Sequence, residues 1–162
     1  MLTVATAVVV AAAVVLVVLL ARSPASNPQR TQVGLHDGRD VRVARTKIGP
    51  ILVNGQGHTL YLFLKDRHGT STCYDGCARV WPPAISSGTP RAGAGVAAAK
   101  LSTTMRADHK RQLVYNGHPL YAMSADTRPG EMAGQGFLGT WFVVSPAGHR
   151  IAKPGASAPG EY

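Results

Sequence analysis

The chain contains two stretches that match each other at a fixed offset of sixty residues. Residues 57–66 read GHTLYLFLKD, and residues 117–126 read GHPLYAMSAD. The register holds without a gap as far as Trp81 and Trp141, with seven identities in the twenty-five positions from Gly57 to Trp81. Self-similarity at a fixed period indicates one supersecondary unit built twice, and such a unit does not bury its apolar face alone. We therefore expect two similar halves that share a core.

The local signals within each copy are those of short strands. Apolar residues alternate over residues 58–65, which places Leu60, Leu62 and Leu64 on one face of a predicted strand. The dipeptides Asn54-Gly55 and Asn116-Gly117 are typical of hairpin turns. No long stretch of the domain has the 3.6-residue apolar period of a helix. The prediction is a mainly β fold: a small antiparallel β domain of two similar halves related by a pseudo-two-fold axis.

Composition divides the chain into four segments. Residues 1–21 form an apolar run without charge, which predicts an N-terminal hydrophobic helix that serves as signal anchor or signal peptide. Residues 22–42 are predicted to be a flexible basic linker, and residues 153–162 a disordered tail. The two-repeat β domain is expected over residues 43–152, with repeat 1 at about 48–83 and repeat 2 at about 105–144.

The charge pattern bears on location and partners. All seventeen Lys and Arg follow the apolar run, and a Lys/Arg-rich segment beside a membrane helix usually lies in the cytoplasm. The cysteine pair discussed below favours an oxidising compartment, so we expect an extracytoplasmic domain, membrane-anchored or secreted. We expect the chain to associate with the membrane through its N-terminal helix. The formal charge of +9 also suits anionic partners, namely envelope polymers or lipid headgroups. Nucleic acid is not an expected partner, because no recognition motif accompanies the charge.

An ordered set of motifs carries a family resemblance. The set comprises Gly57-x-x-Leu60-Tyr61-x-Phe63-x-x-Asp66, Cys73-Tyr74-Asp75-Gly76-Cys77, Trp81-Pro82-Pro83, residues 115–121 (YNGHPLY) and Gly134-Gln135-Gly136. It resembles the bacterial secreted-repeat lipoproteins that have a Tyr-x-aromatic-x-x-Asp motif. The resemblance covers about residues 48–150 and implies an exported cell-envelope repeat protein of undefined activity. Two features depart from the family pattern: Met123 stands where the second copy would have an aromatic residue, and the usual lipid-attachment Cys is not evident.

The motif residues Tyr61, Asp66, Tyr121 and Asp126 have two interpretations. A strand-end Asp accepts backbone hydrogen bonds, and a buried Tyr hydroxyl needs a partner, so a structural role accounts for all four. Alternatively, the two Asp converge as a paired acid site, in which like charges would raise one pKa. The structural interpretation is preferred, because no other catalytic constellation surrounds the carboxylates.

Cys73 and Cys77 are the only cysteines of the chain. In an exported domain such a pair most simply forms a disulfide. The alternative is a copper site, because reduced Cys-x-x-x-Cys binds Cu(I) when soft or imidazole ligands are near. Candidate additional ligands are His58, His118 and Met123.

Trp81 and Trp141 occupy equivalent repeat positions and are expected to fill the apolar layer between the halves. Signatures of common enzyme classes are absent from the sequence. We therefore expect no catalytic residue, no cofactor and no metal in the leading interpretation: an exported envelope repeat domain, non-enzymatic, with a structural or binding role. A copper or redox envelope protein is the alternative, and an acid-dyad hydrolase ranks last.

Overall fold

The computed structural model describes residues 40–152, and within that range the chain is mainly β. The strands are β1 (Asp40–Thr46), β2 (Gly49–Asn54), β3 (Tyr61–Phe63), β4 (Arg91–Ala92), β5 (Leu101–Met105), β6 (Arg111–Tyr115), β7 (His118–Pro119) and β8 (Trp141–Val143). They form three small sheets. One helix, α1 (Asp75–Val80), and two 3₁₀ turns, Ala98–Lys100 and Phe137–Gly139, complete the described elements. The predicted mainly β class is confirmed.

Two of the sheets are built on matching hairpins, one from each copy. β1 pairs antiparallel with β2, and β4 adds parallel to β1. β5 pairs antiparallel with β6, and β7 completes that sheet. β6 and β7 are joined through Asn116-Gly117, whose residues both have positive φ. Asn and Gly tolerate this conformation, so the dipeptide predicts the turn correctly.

The third sheet joins the two copies. β3 from the first copy pairs antiparallel with β8 from the second, from Tyr61 opposite Val143 to Phe63 opposite Trp141. Tyr61 and Tyr121, which are repeat equivalents, exchange both backbone hydrogen bonds, at 2.8 and 3.0 Å. Each copy therefore depends on the other to satisfy its backbone, as the repeat predicts.

The core divides into two clusters on either side of β3. Leu60 and Leu62 belong to one cluster, and Tyr61 belongs to the other with Phe63 packed against it. This is the alternation that a strand requires. The second cluster contains both tryptophans and Cys73, and it forms the floor of the site described below.

The strand predicted over residues 58–65 is longer than the observed strand β3. β3 ends at Phe63, and the chain turns at Leu64-Lys65, where Leu64 is 36% exposed and lies outside the core. The turn is fixed by two hydrogen bonds, from Leu64 N to Thr140 O at 2.9 Å and from Asp66 N to Phe63 O at 3.1 Å. Apolar alternation marks a strand face but does not report where tertiary bonds end the strand.

The first described strand begins at Asp40, which pairs with Arg91 of β4, and Val41 then pairs with both β2 and β4. The helix α1 lies at a position where the sequence analysis predicts no helix. No residue of α1 is fully buried, so an apolar stripe was not available to predict it.

The predicted N-terminal helix at 1–21, residues 22–39 of the predicted linker and the predicted tail at 153–162 lie outside the described residues. Within residues 40–152, none of the helices has the length and apolar character needed to cross a bilayer. The segment boundaries remain predictions.

Candidate functional site

The motif tyrosines and aspartates pair crosswise between the copies. The Tyr61 hydroxyl donates to Asp126 Oδ2 at 2.5 Å, and the Tyr121 hydroxyl donates to Asp66 Oδ2 at 2.6 Å. Both tyrosines are fully buried, and Asp126 is 6% exposed. The motif residues thus connect the two copies. The sequence of one copy alone does not reveal this pairing, because each Tyr binds the Asp of the other copy.

Each carboxylate has a further set of donors. Asp66 Oδ1 accepts from Thr72 N at 2.7 Å and from the Thr72 hydroxyl at 2.9 Å. Asp126 Oδ1 accepts from Ala133 N at 2.9 Å. The donors lie six and seven residues beyond the aspartates, so each Asp fixes the loop that follows its own strand. These donors lie farther along the chain than those of a simple Asp turn.

Burial dominates the titration of these groups. It raises the pKa of the Tyr61 phenol well above its ordinary value, and the hydrogen bond to Asp126 raises it further. The pKa of Tyr121 is raised by burial first and then by Asp66. Burial also raises the pKa of Asp66, although the hydrogen bond from Tyr121 opposes this effect.

A buried arginine lies beside one of the two pairs, and the sequence analysis did not identify it. Arg106, 3% exposed, donates to the Ser71 hydroxyl at 2.7 Å, to Gln112 Oε1 at 2.8 Å and to the Cys73 carbonyl at 2.8 Å. The Ser71 hydroxyl also lies 2.8 Å from the Tyr121 oxygen and donates to it, because the single Tyr121 proton is directed to Asp66. The repeat equivalent of Arg106 is Thr46, so this network exists in one half only.

The predicted disulfide is confirmed. Cys73 and Cys77 are bonded, with their Cα atoms 5.3 Å apart, and the bridge spans the start of α1. Cys73 is buried in the second core cluster, and Cys77 packs against that cluster. The bridge therefore holds α1 against the core, although the helix buries little of its own surface.

The two tryptophans stack on each other at the centre of the second cluster. The ring centroids of Trp81 and Trp141 are 4.0 Å apart, with 2° between the planes. Phe63 stacks on the other face of Trp141, also at 4.0 Å. Gly134 lies against this stack: a Cβ there would be 2.5 Å from Trp81 and 2.9 Å from Tyr61. The expectation that the tryptophans fill the layer between the halves is confirmed.

A groove of about 300 Å³ is lined in part by the two stacked indole rings. Three repeat-equivalent pairs line it: Cys77 with Phe137, Val80 with Thr140, and Trp81 with Trp141. Phe63, Lys65 and Leu138 complete the lining. The groove therefore has lining residues from both copies. Its two sides differ, because the repeat equivalents of Lys65 and Leu138 are both Ala.

The rim of the groove exposes apolar side chains on a strained loop. Leu138 is 80% exposed and Phe137 is 41% exposed, and Val80 on α1 is 41% exposed. Leu138 adopts a left-handed backbone with φ of 50°, which is unfavourable for a side chain with a Cβ. Backbone strain and side-chain exposure thus coincide at the rim of the groove.

The proposed copper ligands are distributed as follows. Both sulfurs are in the disulfide. His58 Nδ1 lies 3.1 Å from the Asp126 carbonyl oxygen, and Met123 packs on the second core cluster. His118 is half-buried, and its pKa is lowered first by burial and then by His149. Across residues 40–152, no group of three or more His, Cys, Asp or Glu side chains is arranged to hold a metal ion.

A family model matches the chain twice, at residues 42–85 and 102–145. It is the model of a lipoprotein family described as a secreted repeat of unknown function, and the two matches cover more than half of the chain. The chain belongs to this secreted-repeat family. The domain is accordingly extracytoplasmic. Searches of curated proteins and of solved structures found no match.

The matched repeats differ from the predicted repeats mainly at their starts. Each match begins in the first strand of a hairpin, β1 or β5, so each secreted repeat includes a whole hairpin. Identities cluster from Gly57 onward, and the sixty-residue register gives the hairpins little sequence similarity: Ile51 and Leu52 stand opposite Arg111 and Gln112. A signal for the rim loop was nevertheless present, because Phe137 and Leu138 are apolar neighbours between Gly136 and Gly139.

Proposed function

We propose that this secreted repeat is a non-catalytic binding domain of the cell envelope and that the aromatic groove is its binding site. One observation carries the proposal: the groove exposes Phe137 and Leu138 at the point where the rest of the aromatic cluster is buried. An exposed apolar surface costs solubility and offers nothing to the core, so it is expected to have a partner.

The proposed architecture places the site on a pseudo-two-fold axis. The axis would pass between Tyr61 and Tyr121, which exchange backbone bonds, and between the stacked tryptophans. Equivalent positions of the two copies then meet at the groove. A position at which the copies have different residues therefore changes one wall of the groove and leaves the other wall as it is. Divergence of the copies at Lys65 and Leu138 fits a duplicated scaffold with a specialised junction.

The motif contributes to the proposal by its structural use. Tyr61, Asp66, Tyr121 and Asp126 hold the halves together through separate hydrogen-bond sets, which is a sufficient role for all four. A catalytic pair would be expected to share a proton or a water at one location. The acid-dyad hydrolase and the copper alternative stay predictions, and the latter requires the disulfide to be reduced.

The test uses an apolar fluorescent anion, 8-anilinonaphthalene-1-sulfonate, with the full chain held in phosphatidylcholine nanodiscs. We expect the dye to bind and to quench the two tryptophans by energy transfer, because they are the only ones in the chain and both line the groove. The variant Leu138→Gly removes an exposed apolar contact and is expected to weaken dye binding about tenfold.

The matched control is Met105→Thr, which removes an apolar side chain that is 57% exposed but does not line the groove. It should bind the dye like the parent protein. Equal loss in both variants, or no loss in Leu138→Gly, would show that the dye binds elsewhere and would refute the groove as the site. Empty nanodiscs give the background from dye dissolved in lipid.

A further inference from the structure

We infer that the groove takes the apolar tail of a single anionic amphiphile, with its charged head at Lys65. This rests on the proposed function and adds the chemical class of the ligand. Seven of the nine lining residues are apolar, and Lys65 is the only charged one. A ligand that matches this lining has an apolar body and one negative group at the rim.

The stacking geometry favours an alkyl tail over a flat ring. Trp141 has Trp81 on one face and Phe63 on the other, each at 4.0 Å, so neither face is free to stack on a sugar or a base. Both indoles are only 3% exposed, so neither offers an open ring face to a ligand. Sugars also need several polar partners beside an aromatic platform, and only two of the nine lining residues, Lys65 and Thr140, are polar.

The charge at the rim is available. Lys65 is exposed, and within residues 40–152 no ion pair involves it. The neighbouring Asp66 carboxylate is directed into the fold, where it binds Tyr121 and Thr72. The second copy has Ala125 in place of Lys65, so the cation belongs to one side of the groove. Charge complementarity therefore selects an anion and fixes the end at which its head lies.

The size and shape of the groove select a single tail over a bilayer surface. A volume of about 300 Å³ is at the small end of ligand pockets. The floor lies at indoles that are 3% exposed, below a rim made by Leu138 and Val80. A flat lipid surface meets the rim first, whereas one flexible tail reaches the floor. The ligand is accordingly a free amphiphile taken up singly.

The experiment uses brominated probes, because bromine quenches indole fluorescence on contact and both tryptophans of the chain line the groove. The full chain in phosphatidylcholine nanodiscs is titrated with 8-bromooctanoate and, separately, with its neutral match 8-bromooctanol. We expect both to quench, and the carboxylate to bind about threefold more tightly through Lys65. Lys65→Gln should abolish this preference, and Lys47→Gln, which does not line the groove, should retain it.

Each outcome has a distinct meaning. Equal affinity for the two probes, or a preference that survives in Lys65→Gln, overturns the anionic head but leaves the groove as a binding site. Absence of quenching by both probes overturns the proposed function as well. Nanodiscs that contain a brominated anionic phospholipid form the last arm: quenching there, without quenching by 8-bromooctanoate, assigns the rim to a bilayer and overturns a free amphiphile.

Discussion

At the scale of single residues, the fold depends on two tyrosine–aspartate pairs that cross between the copies. Tyr61 binds Asp126 and Tyr121 binds Asp66, all through short hydrogen bonds in buried surroundings. A hydrogen bond to a charged group contributes more than one between neutral groups, and an abandoned buried partner costs the most. The four side chains of the motif are therefore expected to contribute strongly to the free energy of unfolding.

We expect Tyr61→Phe and Tyr121→Phe each to lower the free energy of unfolding by about 1–3 kcal/mol, because the first leaves the buried Asp126 carboxylate, and the second the half-buried Asp66 carboxylate, short of a donor. The measurement is urea unfolding followed by far-ultraviolet circular dichroism. Tyr74→Phe is the control, since the Tyr74 hydroxyl makes only an exposed bond with Ala107 N, and it should change stability by less than about 0.5 kcal/mol. Unchanged stability in both test variants would contradict the structural role of the motif.

The same pairs predict a loss of stability at alkaline pH. Burial raises the pKa of Tyr61 and Tyr121 above the ordinary 10.0, so the folded state holds both protons more tightly than the unfolded state. The stabilisation is complete below pH 10 and is lost as the pH rises above it, by up to about 2.7 kcal/mol per pH unit for two phenols. Urea unfolding between about pH 9 and pH 11 measures the slope.

The slope has an internal control. Tyr121→Phe removes one of the two phenols whose pKa is raised, so the alkaline slope should fall to about half of the parent value. A slope that is the same in the parent and the variant would mean that other groups, such as surface lysines, cause the alkaline loss.

At the scale of elements, the helix α1 depends on its covalent attachment. It has six residues, buries none of them fully and lacks a side-chain cap. Helices of this length are not stable alone. The Cys73–Cys77 bridge and the bond from Trp81 N to the Cys77 carbonyl, at 2.8 Å, tie it to the aromatic cluster. Because Cys77 and Val80 line the groove, one wall of the site is held by this element.

Replacing both cysteines with Ala is expected to cost about 2 kcal/mol of stability, the loop-closure value for so short a bridge. It should also speed amide exchange of α1 and weaken 8-anilinonaphthalene-1-sulfonate binding, because Val80 loses its fixed place at the rim. Hydrogen exchange by mass spectrometry and dye titration are the measurements. Exchange in β5 and β6 is the internal control and should change little. Unchanged exchange in α1 would show that the helix holds its place without the bridge.

At the scale of the whole molecule, the two copies form a single structural unit. The sheet of β3 and β8 has one strand from each copy, and the tryptophan stack has one ring from each. Both core clusters likewise draw side chains from both copies. The duplicated unit thus has no complete core of its own.

We expect fragments 1–97 and 98–162 to be unfolded when separate and to combine into the native fold when mixed. Each fragment keeps its hairpin but loses part of both core clusters, and an isolated hairpin is marginal in water. Circular dichroism of the fragments and of their equimolar mixture is the measurement. A fragment that folds cooperatively alone would contradict the shared core, and a mixture equal to the sum of the separate spectra would contradict pairing through β3 and β8.

Much of this molecule is determined by the sequence, because the relevant interactions are local. The period of sixty residues established two copies, the alternation around Tyr61 established a strand with two apolar faces, and Asn116-Gly117 established a turn. The two cysteines established a disulfide because a chain with only two in an oxidising compartment has one pairing. Each of these depends on neighbours along the chain or on composition.

Tertiary structure decided what depends on distant contacts. That Tyr61 binds the Asp of the other copy, that Arg106 is buried beside Ser71, and that the strand stops at Phe63 follow from partners far away in sequence. The groove is assembled from three separate segments, and its only cation lies on a turn predicted as strand. Periodicity states which side chains are apolar, and only the packing of one copy on the other determines which of them stay exposed.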